Sequence, residues 1–511
     1  MPTTRTAFAG SVWSSPHASK HALLIHGITS SSQTWYSVAN SLAARGYHVT
    51  APDLLGHGTA RRGTGYTISA LAEELQPFVA GVYGADFGGY DLIVGHSLGA
   101  LVTLAFLSSI PPGKPVRVVL LDPPLEIAPE TESYLRGLFA DQATSVRTLE
   151  QHLSDHPLWT RKDAALEVLG NNLCTSDVTD AIFEQNGHPW SFTYLLNQVP
   201  AYVTLKILAA DPSLWSLCKV EHAPAFTQVV LGASHSIERE CPEAVLKAAL
   251  DPALDDPSDI STVFAGSVWG SSNATKRALL IHGLTSSSAS SWFRIARGLV
   301  DQGYFVTAPD YHGHGIAGRG TDYRISALAE SLHPFFTNVP TSQGYDVIIG
   351  HSLGGLVALS LLPIIGASNK RTRVILVDPP LEQGPALVAH YRKLFVDYVT
   401  DVRPMEALLK ESPPWTREDA AWHVLSHELC DPQAVDAIFE KNTPWSFGHM
   451  LADVPPNVEL TVMAADPSLG ASFRVEEASA YPHVQTQVVF GSTHLIPKEF
   501  PEVIIDVALR G

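Results

Sequence analysis

The sequence predicts two tandem α/β domains, each with a mostly parallel, doubly wound sheet and a helical lid inserted into it. Three observations support this prediction. The first half of the 511-residue chain is repeated in the second half. Within each half, short runs rich in Val, Ile and Leu alternate with helical patterns, as parallel strands covered by helices require. One long helical segment in each half, rich in aromatic residues, interrupts that alternation.

The repeat has the length of a whole domain. The matching segments include 8–13 with 264–269 (Phe-Ala-Gly-Ser-Val-Trp) and 22–27 with 278–283 (Ala-Leu-Leu-Ile-His-Gly). Solenoid repeats span only about 20–50 residues, so a period near half the chain indicates two domains. The polar, proline-containing stretch 251–259 is typical of a linker. We therefore expect domains at residues 1–255 and 256–511, with the boundary near Asp256.

Six apolar runs in the first half predict the strands of its sheet. They are, in chain order, residues 21–25, 48–50, 90–94, 116–121, 204–208 and 227–231. Residues 69–79 and 99–107 lie between these runs and have helical patterns. The segment 126–200, between the fourth and fifth runs, is helical and rich in aromatic residues, and 382–455 is its counterpart. An insert of that size at one point of a sheet predicts a lid.

Composition and charge limit the class of protein. Hydrophobic residues make up 45% of the chain and charged residues 16%, which suits large globular cores. The net charge of −18 argues against binding to nucleic acid or to an anionic membrane surface. No signal-like or membrane-spanning apolar run is present, so we expect a cytoplasmic protein. No metal-binding cluster, disulfide framework or phosphate-binding loop is evident, and we predict neither a metal nor a cofactor.

The strongest chemical signal is a Gly-His-Ser-Leu-Gly motif at 95–99, which recurs at 350–354. Each copy follows an apolar strand and begins a helix, which is the context of a nucleophile elbow. On such a tight turn the serine hydroxyl is exposed above the sheet, and the flanking glycines let the backbones approach closely. A chance motif in a turn would not be expected twice in the same context. Ser97 and Ser352 are therefore the predicted nucleophiles.

A serine hydroxyl needs a base to accept its proton. His235 in Gly-Ala-Ser-His and His494 in Gly-Ser-Thr-His lie just beyond the last predicted strand of each half. These two histidines are the predicted bases, and a purely structural loop histidine is the alternative. His96 and His351, beside the nucleophiles, are expected to pack within the elbow.

Together these motifs resemble the α/β-hydrolase superfamily over nearly all of both halves. The other matching segments are His-Gly at 26–27 and 282–283, and Pro-Asp-x-x-Gly-His-Gly at 52–58 and 309–315. The resemblance implies that the backbone amides of Ile28 and Leu98 form one oxyanion hole. The amides of Leu284 and Leu353 form the other. Serine at the elbow sets the chain apart from the dehalogenases and epoxide hydrolases of the superfamily, which attack with a carboxylate.

The catalytic acid has two candidates in each half. Asp122 and Asp378 follow the strand next to the elbow. Asp211 and Asp466 follow a later strand, in the sequence Ala-Ala-Asp-Pro-Ser-Leu. Members of the superfamily use either position, and we favour Asp122 and Asp378 because relatives with a comparable Asp-Pro turn often take the acid from the earlier strand. The other aspartate is then expected to cap or brace a turn before a proline.

Four tryptophans of the predicted lids are candidates for substrate contact. They are Trp159 and Trp190 in the first half, and Trp415 and Trp445 in the second. Aromatic rings above the nucleophile suit an apolar acyl group or ring. The alternative is that they form the small core of the lid itself.

These residues predict a carboxylic-ester hydrolase with two active sites, acting on a small or medium apolar ester or lactone through an acyl-enzyme. Carbon–carbon bond hydrolysis, lyase chemistry and acyl transfer use related sites and stay open, as does a ligand receptor on this scaffold. A chain with one working and one structural half is a further alternative, against which the two complete residue sets argue. We also expect the halves to pack together as an intramolecular pseudo-dimer.

Overall fold

The computed structural model describes residues 8–79, 88–250, 263–271, 273–337, 344–368 and 370–510. The chain divides into two compact units, Met1–Val263 and Phe264–Gly511, and each carries one copy of the repeat. The predicted linker at 251–259 and the predicted boundary near Asp256 lie outside the described residues.

The first unit alternates strands and helices around one main sheet. Its strands are β1 (Phe8–Ser14), β2 (Lys20–Ile25), β3 (Tyr47–Pro52), β4 (Leu92–His96), β5 (Val116–Leu121), β6 (Glu126–Ile127), β7 (Trp190–Ser191), β8 (Val203–Ala209) and β9 (Thr227–Val229). Its α-helices are α1 (Tyr36–Ala43), α2 (Ile68–Glu74), α3 (Gln76–Val79), α4 (Leu98–Phe106), α5 (Pro129–Thr144), α6 (Leu149–Asp155), α7 (Arg161–Leu173), α8 (Ser176–Gln185), α9 (Ile237–Glu240) and α10 (Pro242–Ala249). The main sheet has the order β1-β3-β2-β4-β5-β8-β9, in which β1 is antiparallel to β3 and the other described pairs are parallel.

Helices pack against this sheet in two pairs. Helices α1 and α10 contact each other and the strands β3 and β5, while α2 and α4 contact each other and α4 contacts β4. The central strand β4 is buried along its whole length, because it is covered by helices and flanked by other strands. The doubly wound, mostly parallel sheet predicted from the apolar runs is confirmed.

The second unit repeats this architecture. Its strands are β10 (Phe264–Gly270), β11 (Lys276–Ile281), β12 (Tyr304–Asp310), β13 (Val347–His351), β14 (Thr372–Val377), β15 (Val458–Ala464) and β16 (Gln485–Val488). Its α-helices are α11 (Ser288–Asp301), α12 (Ile325–Ser331), α13 (Pro334–Thr337), α14 (Leu353–Ser360), α15 (Leu362–Gly366), α16 (Pro385–Thr400), α17 (Met405–Glu411), α18 (Arg417–Glu428), α19 (Pro432–Lys441), α20 (Ile496–Glu499) and α21 (Pro501–Leu509). The sheet order is β10-β12-β11-β13-β14-β15-β16, with β10 antiparallel to β12.

In both units a helical insert follows the strand next to the elbow. Helices α5–α8 lie between β5 and β8, and α16–α19 lie between β14 and β15. Capping boxes at Thr160 and Thr416 begin α7 and α18, and each cap stabilises its helix by about 1 kcal/mol. We call these two segments, 126–200 and 382–455, the lid inserts.

Two local features differ from the sequence-based expectation. The segments 8–13 and 264–269 form strands, β1 and β10, although their Ala, Gly and Ser residues lack the branched apolar pattern of the other strands. Residues 69–79 form two helices rather than one, α2 and α3. Pro77 has no amide hydrogen, so the first helix cannot continue through it.

Candidate active sites

Each predicted nucleophile lies between a buried strand and a helix. Ser97 joins β4 to α4 with φ 51° and ψ −118°, and Ser352 joins β13 to α14 with φ 53° and ψ −120°. Positive φ costs a non-glycine residue about 1–3 kcal/mol and persists only where the surrounding structure requires it. This is the backbone conformation expected of a nucleophile elbow.

The flanking glycines make this turn possible. A Cβ atom on Gly99 would overlap the carbonyl oxygens of Ile25 and His26 at the end of β2. A Cβ atom on Gly354 would overlap the carbonyl oxygen of Ile281 in the same way. Because these side chains are absent, each helix begins directly against the sheet, with its first free amides beside the serine.

In the first unit, His235 is hydrogen-bonded to Asp122. His235 Nδ1 lies 2.6 Å from Asp122 Oδ2, although the two residues are 113 positions apart. Asp122 follows β5 with φ 41° and is fully buried. A carboxylate in this position can hold an imidazole in one tautomer and stabilise its charged form.

Several donors hold Asp122 as a carboxylate. Its Oδ1 accepts hydrogen bonds from the amide of Ala210 at 3.0 Å and from the hydroxyl of Ser216 at 2.6 Å. Its Oδ2 accepts one from the amide of Leu217 at 2.8 Å. Burial works to raise the pKa of Asp122, but the hydrogen bond and charge of His235, together with these donors, outweigh burial and hold the pKa below its ordinary value.

The second unit repeats this arrangement with one change. His494 Nδ1 lies 2.6 Å from Asp378 Oδ2, and Asp378 is fully buried with φ 47°. The amides of Ser472 and Phe473 donate to Asp378 at 2.9 and 3.1 Å. Burial works to raise the pKa of Asp378, and His494 with these amides lowers it overall. Ala471 stands at the position of Ser216, so the hydroxyl that donates to the acid in the first unit is absent here. Ser472 stands at the position of Leu217, and its hydroxyl lies 3.1 Å from His494 Nδ1.

Asp211 and Asp466 occupy a different kind of position. Asp211 Oδ1 accepts hydrogen bonds from the amide and hydroxyl of Ser213 at 2.9 and 2.7 Å, and its Oδ2 accepts one from the amide of Gly232 at 2.9 Å. Asp466 has the equivalent bonds in the second unit. Each carboxylate caps a short 3-10 helix that begins with a proline. The aspartate that contacts the histidine is therefore the earlier one in each unit.

The loop that carries each histidine is anchored to the elbow. Burial lowers the pKa of His96, and its neutral ring donates from Nε2 to the carbonyl oxygen of His235 at 2.9 Å. Glu240 accepts hydrogen bonds from the amide and hydroxyl of Ser234 at 2.6 and 2.7 Å. The second unit has the same contacts. His96 was expected only to pack in the elbow, and it also positions the histidine loop.

The predicted oxyanion-hole segments lie beside the nucleophile. A Cβ atom on Gly27 would stand 3.2 Å from the Cβ atom of Ser97, and the second unit has the same close approach. Ile28 follows Gly27 directly. Leu98 is the first residue of α4, where amides have no partner within the helix. The fold thus brings together the two segments that carry the predicted amides.

In the second unit, a cavity of about 380 Å³ lies beneath the lid insert. Ser352 and His494 line it, as do Leu284 and Leu353, whose amides are predicted to form the oxyanion hole. Much of its wall consists of aromatic and aliphatic side chains of the lid insert: Val388, Tyr391, Leu394, Phe395, Tyr398, Leu408, Trp415, Phe439 and Trp445. A cavity of this size and lining suits a small or medium organic group.

Two of the four candidate tryptophans fix the base of the lid insert. The indole N–H of Trp190 donates to the carbonyl oxygen of Pro124 at 2.8 Å, and that of Trp445 donates to Pro380 at 2.6 Å. Both rings also pack against neighbouring phenylalanines. They therefore contribute to the core of the lid insert, and Trp445 lines the cavity as well.

The other two tryptophans each contact a buried cation that the sequence motifs did not identify. Arg239 Cζ lies 4.6 Å from the ring centre of Trp159, and Lys498 Nζ lies 4.5 Å from that of Trp415. Trp415 also lines the cavity. The available signal was a repeated Ile-x-Arg/Lys-Glu segment that follows each histidine.

Three general features of the described residues bear on function. No group of three or more His, Cys, Asp or Glu side chains among them is arranged to hold a metal ion. No helix in the same part of the chain combines the length and the apolar character needed to cross a membrane. The four cysteines, Cys174, Cys218, Cys241 and Cys430, form no disulfide.

Comparisons with known proteins identify the family. The sequence profile of the Alpha/beta hydrolase family matches residues 22–248 and 278–507. Lipase LipV of Mycobacterium tuberculosis is 33% identical over 108 residues, which are 21% of this chain and 39% of the lipase. Probable esterase PIR7A of Oryza sativa subsp. indica is 33% identical over 102 residues, 20% of this chain and 38% of the esterase. The chain thus spans about two fifths of the length of these curated relatives.

Solved structures resemble one half of the chain at low identity. An esterase from Exiguobacterium antarcticum is 16% identical with a TM-score of 0.38, covering 46% of this chain and 93% of the esterase. A thermophilic esterase from Thermogutta terrifontis is 20% identical with a TM-score of 0.37, covering 48% of this chain and 92% of the esterase. The two ranges matched by the family profile cover most of both units and include both elbows and both histidines. The chain therefore belongs to the Alpha/beta hydrolase family.

Proposed function

We propose that this protein is a serine hydrolase with two active sites, each of which cleaves a carboxylic ester or lactone through an acyl-enzyme. One observation carries the proposal. In both units a serine with positive φ at a strand–helix turn accompanies a histidine hydrogen-bonded to a buried aspartate. The lipase and esterase names of the curated relatives support an ester as the substrate.

In the first site, Ser97 is the nucleophile, His235 the base and Asp122 the acid. Ser97 Oγ attacks the carbonyl carbon and gives its proton to His235 Nε2, while Asp122 holds the opposite ring nitrogen. The tetrahedral intermediate collapses, and the leaving alcohol takes the proton from His235. A water molecule then attacks the acyl-enzyme and gives its proton to His235, which passes that proton to the leaving Ser97 Oγ, so that the carboxylic acid product and the free serine hydroxyl are released.

The second site uses Ser352, His494 and Asp378 in the same roles. The oxyanion of each tetrahedral intermediate accepts hydrogen bonds from two backbone amides. These are the amides of Ile28 and Leu98 in the first site, and of Leu284 and Leu353 in the second. Each such donor contributes about 3 kcal/mol to the stability of the transition state. The mainly apolar cavity supports a small or medium apolar acyl or alcohol group.

A fluorophosphonate probe tests this proposal. Because the probe reacts with activated serines, we expect modification of Ser97 and Ser352, located by mass spectrometry of peptides. Heat-unfolded protein and the Ser97→Ala/Ser352→Ala double variant are the controls and should not react. Labelling of other residues in the folded protein, or no labelling, contradicts the proposal.

Turnover separates an enzyme from a ligand receptor that retains the same residues. We expect hydrolysis of 4-nitrophenyl esters of graded chain length or of aromatic lactones, with many turnovers per chain. Labelling without measurable turnover of any of these compounds would favour a receptor.

A further inference from the structure

A buried cation stands four residues after the histidine in each unit. Arg239 lies on α9 beneath Trp159, and Lys498 lies on α20 beneath Trp415. Arg239 is 8% exposed and Lys498 is 5% exposed. The two positions are equivalent in the repeat, but their surroundings differ.

In the first unit, the charge of Arg239 is balanced mainly by Glu167, because against the effect of burial the charge of Arg239 holds the pKa of Glu167 below its ordinary value, whereas burial raises the pKa of Glu238 to about 7. One terminal nitrogen donates to Glu167 Oε2 at 2.6 Å, and Glu238 Oε1 lies 3.8 Å from its Nε. The Nε and the other terminal nitrogen donate to the hydroxyl of Thr34 at 3.1 and 3.0 Å. The guanidinium is therefore partnered within the protein and does not require an anionic ligand.

In the second unit, neither of these carboxylates is retained. His423 stands at the position of Glu167, and Pro497 stands at the position of Glu238. In the part of the chain that the structure describes, no carboxylate lies within salt-bridge distance of Lys498.

The remaining contacts of Lys498 are weak. Its Nζ donates to the backbone carbonyl oxygen of Asp419 at 3.4 Å, which is a long hydrogen bond. Oδ2 of Asp419 accepts from the amide and hydroxyl of Thr416 at 2.9 and 2.7 Å and lies 3.3 Å from Arg294, whereas its buried Oδ1 has no hydrogen-bond partner among the described residues and does not reach Lys498 within salt-bridge distance. Lys498 thus contacts an aromatic ring and one backbone oxygen.

Lys498 lines the same cavity as Ser352 and His494. Among the described residues that line this cavity, Glu411 is the acidic one, and its carboxylate is ion-paired with Arg403. The cavity wall therefore holds a cation that no anion of the described lining balances.

The neighbouring histidines do not compensate for the missing carboxylates. Burial lowers the pKa of His423 well below its ordinary value and that of His427 to about 3, so both rings are neutral at pH 7. Burial also lowers the pKa of Lys498 to about 7, despite the opposing charge of Asp419. An anion bound beside the amine would favour its charged form and accept a charge-assisted hydrogen bond.

We propose that the second site hydrolyses an ester or lactone that bears a carboxylate, which binds Lys498, whereas the first site takes an uncharged one. This inference rests on the proposed function, since it assigns a substrate class to one of the two sites. The apolar lid side chains around the cavity contact the rest of the substrate.

Two pairs of probes test this preference. In the first pair, mono-4-nitrophenyl glutarate carries a carboxylate on its acyl side, and 4-nitrophenyl pentanoate is the uncharged counterpart. In the second pair, 4-carboxyphenyl pentanoate carries the carboxylate on its alcohol side, and phenyl pentanoate is the uncharged counterpart. The Ser97→Ala variant reports the second site and Ser352→Ala the first. For each pair, the preference is the kcat/KM of the charged probe divided by the kcat/KM of the uncharged probe. In at least one pair, we expect this preference to be at least about tenfold higher at the second site than at the first.

Substitution of Lys498 tests the residue itself, in the Ser97→Ala background. We expect Lys498→Met to lower the charged-to-uncharged ratio at least about tenfold, mainly through KM, because the lost hydrogen bond is already formed with bound substrate. Lys498→Arg should restore part of the ratio. A purely structural role would lower kcat/KM equally for both probes, and circular dichroism melts report whether each variant is folded.

His423→Glu is the matched control, since it supplies the carboxylate that the first unit has at this position. It is expected to remove the preference for the charged probe while Lys498 is still present. Equal ratios at the two sites, or a ratio that Lys498→Met leaves unchanged, overturn the inference if the uncharged probes are cleaved. If no probe is cleaved and Ser352 is not labelled by fluorophosphonate, the proposed function itself is rejected.

Discussion

At the residue scale, the two candidate acids of each unit show that position in the fold gives identical side chains different roles. Asp122 is fully buried and accepts a hydrogen bond from a histidine 113 positions away. Asp211 accepts hydrogen bonds from its own turn and from Gly232, and it lies at the surface. A buried carboxylate facing an imidazole stabilises the charge that forms on the ring during catalysis, and a surface cap does not.

The acid can be tested in a Ser352→Ala background, where only the first site is expected to be active. Asp122→Asn is expected to lower turnover at least about a thousandfold, because the ring loses its orienting carboxylate. Asp211→Asn, the matched control, is expected to cost less than about thirtyfold. Ester kinetics measure both effects, and melting curves show whether the variants are folded. The reverse ranking would move the acid to Asp211 and Asp466.

The free energy of unfolding should respond to pH through Lys498. Burial lowers its pKa from 10.5 to about 7 in the folded state. Between these two pKa values the unfolded chain binds more protons at Lys498 than the folded chain does. The free energy of unfolding therefore rises with pH in this range, and the destabilisation caused by burying the charged amine is fully present below about pH 7. Lys498→Met is therefore expected to raise the Tm more, or lower it less, at about pH 6 than at about pH 9.5.

Circular dichroism melts at both pH values measure this difference. The exposed Lys247→Met is the control for the general effect of pH. If the Tm change caused by Lys498→Met is the same at both pH values, the pKa of Lys498 is not lowered.

At the element scale, the junction of strand and helix at the elbow depends on glycine. Helix α4 can begin against the end of β2 only because Gly99 has no side chain. The positive φ of Ser97 is maintained by this close contact, since the backbone on either side of the serine cannot relax.

Gly99→Ala is expected to lower the free energy of unfolding of the first unit by at least about 1–3 kcal/mol, because the new methyl group overlaps backbone oxygens. Gly137→Ala is the matched control. Gly137 lies in α5 with open space around it, so alanine should be neutral or stabilise by about 0.5–1 kcal/mol. Denaturant unfolding measures both variants. A Gly99→Ala variant as stable as the parent chain would show that the contact can relax.

At the scale of the whole molecule, the chain contains two complete candidate sites. Each site takes its serine, histidine and aspartate from within one unit. The packing of the two units as a pseudo-dimer stays a prediction.

Because each site is complete within its unit, each is expected to act alone. Ser97→Ala should abolish turnover at the first site and leave that of the second, Ser352→Ala should do the reverse, and the double variant should fall to background. Ester hydrolysis and fluorophosphonate labelling measure the two sites separately. An inactive single variant would show that the units are coupled or that one of them is only structural.

The sequence alone predicted the duplication, the alternating sheet, the elbows and the late histidines. Each of these depends on a pattern of neighbouring residues: apolar runs for buried strands, and glycines around a serine for a tight turn. The antiparallel strands β1 and β10 were missed because small residues do not show that pattern.

Only the tertiary structure identified which aspartate contacts the histidine, and which cation lacks an acidic partner. Asp122 meets His235 across 113 positions, and Arg239 meets Glu167 across 72. No local pattern encodes such pairs, because the sheet order and the lid insert bring distant segments together. The burial that makes an unpaired charge costly also arises only when those segments pack.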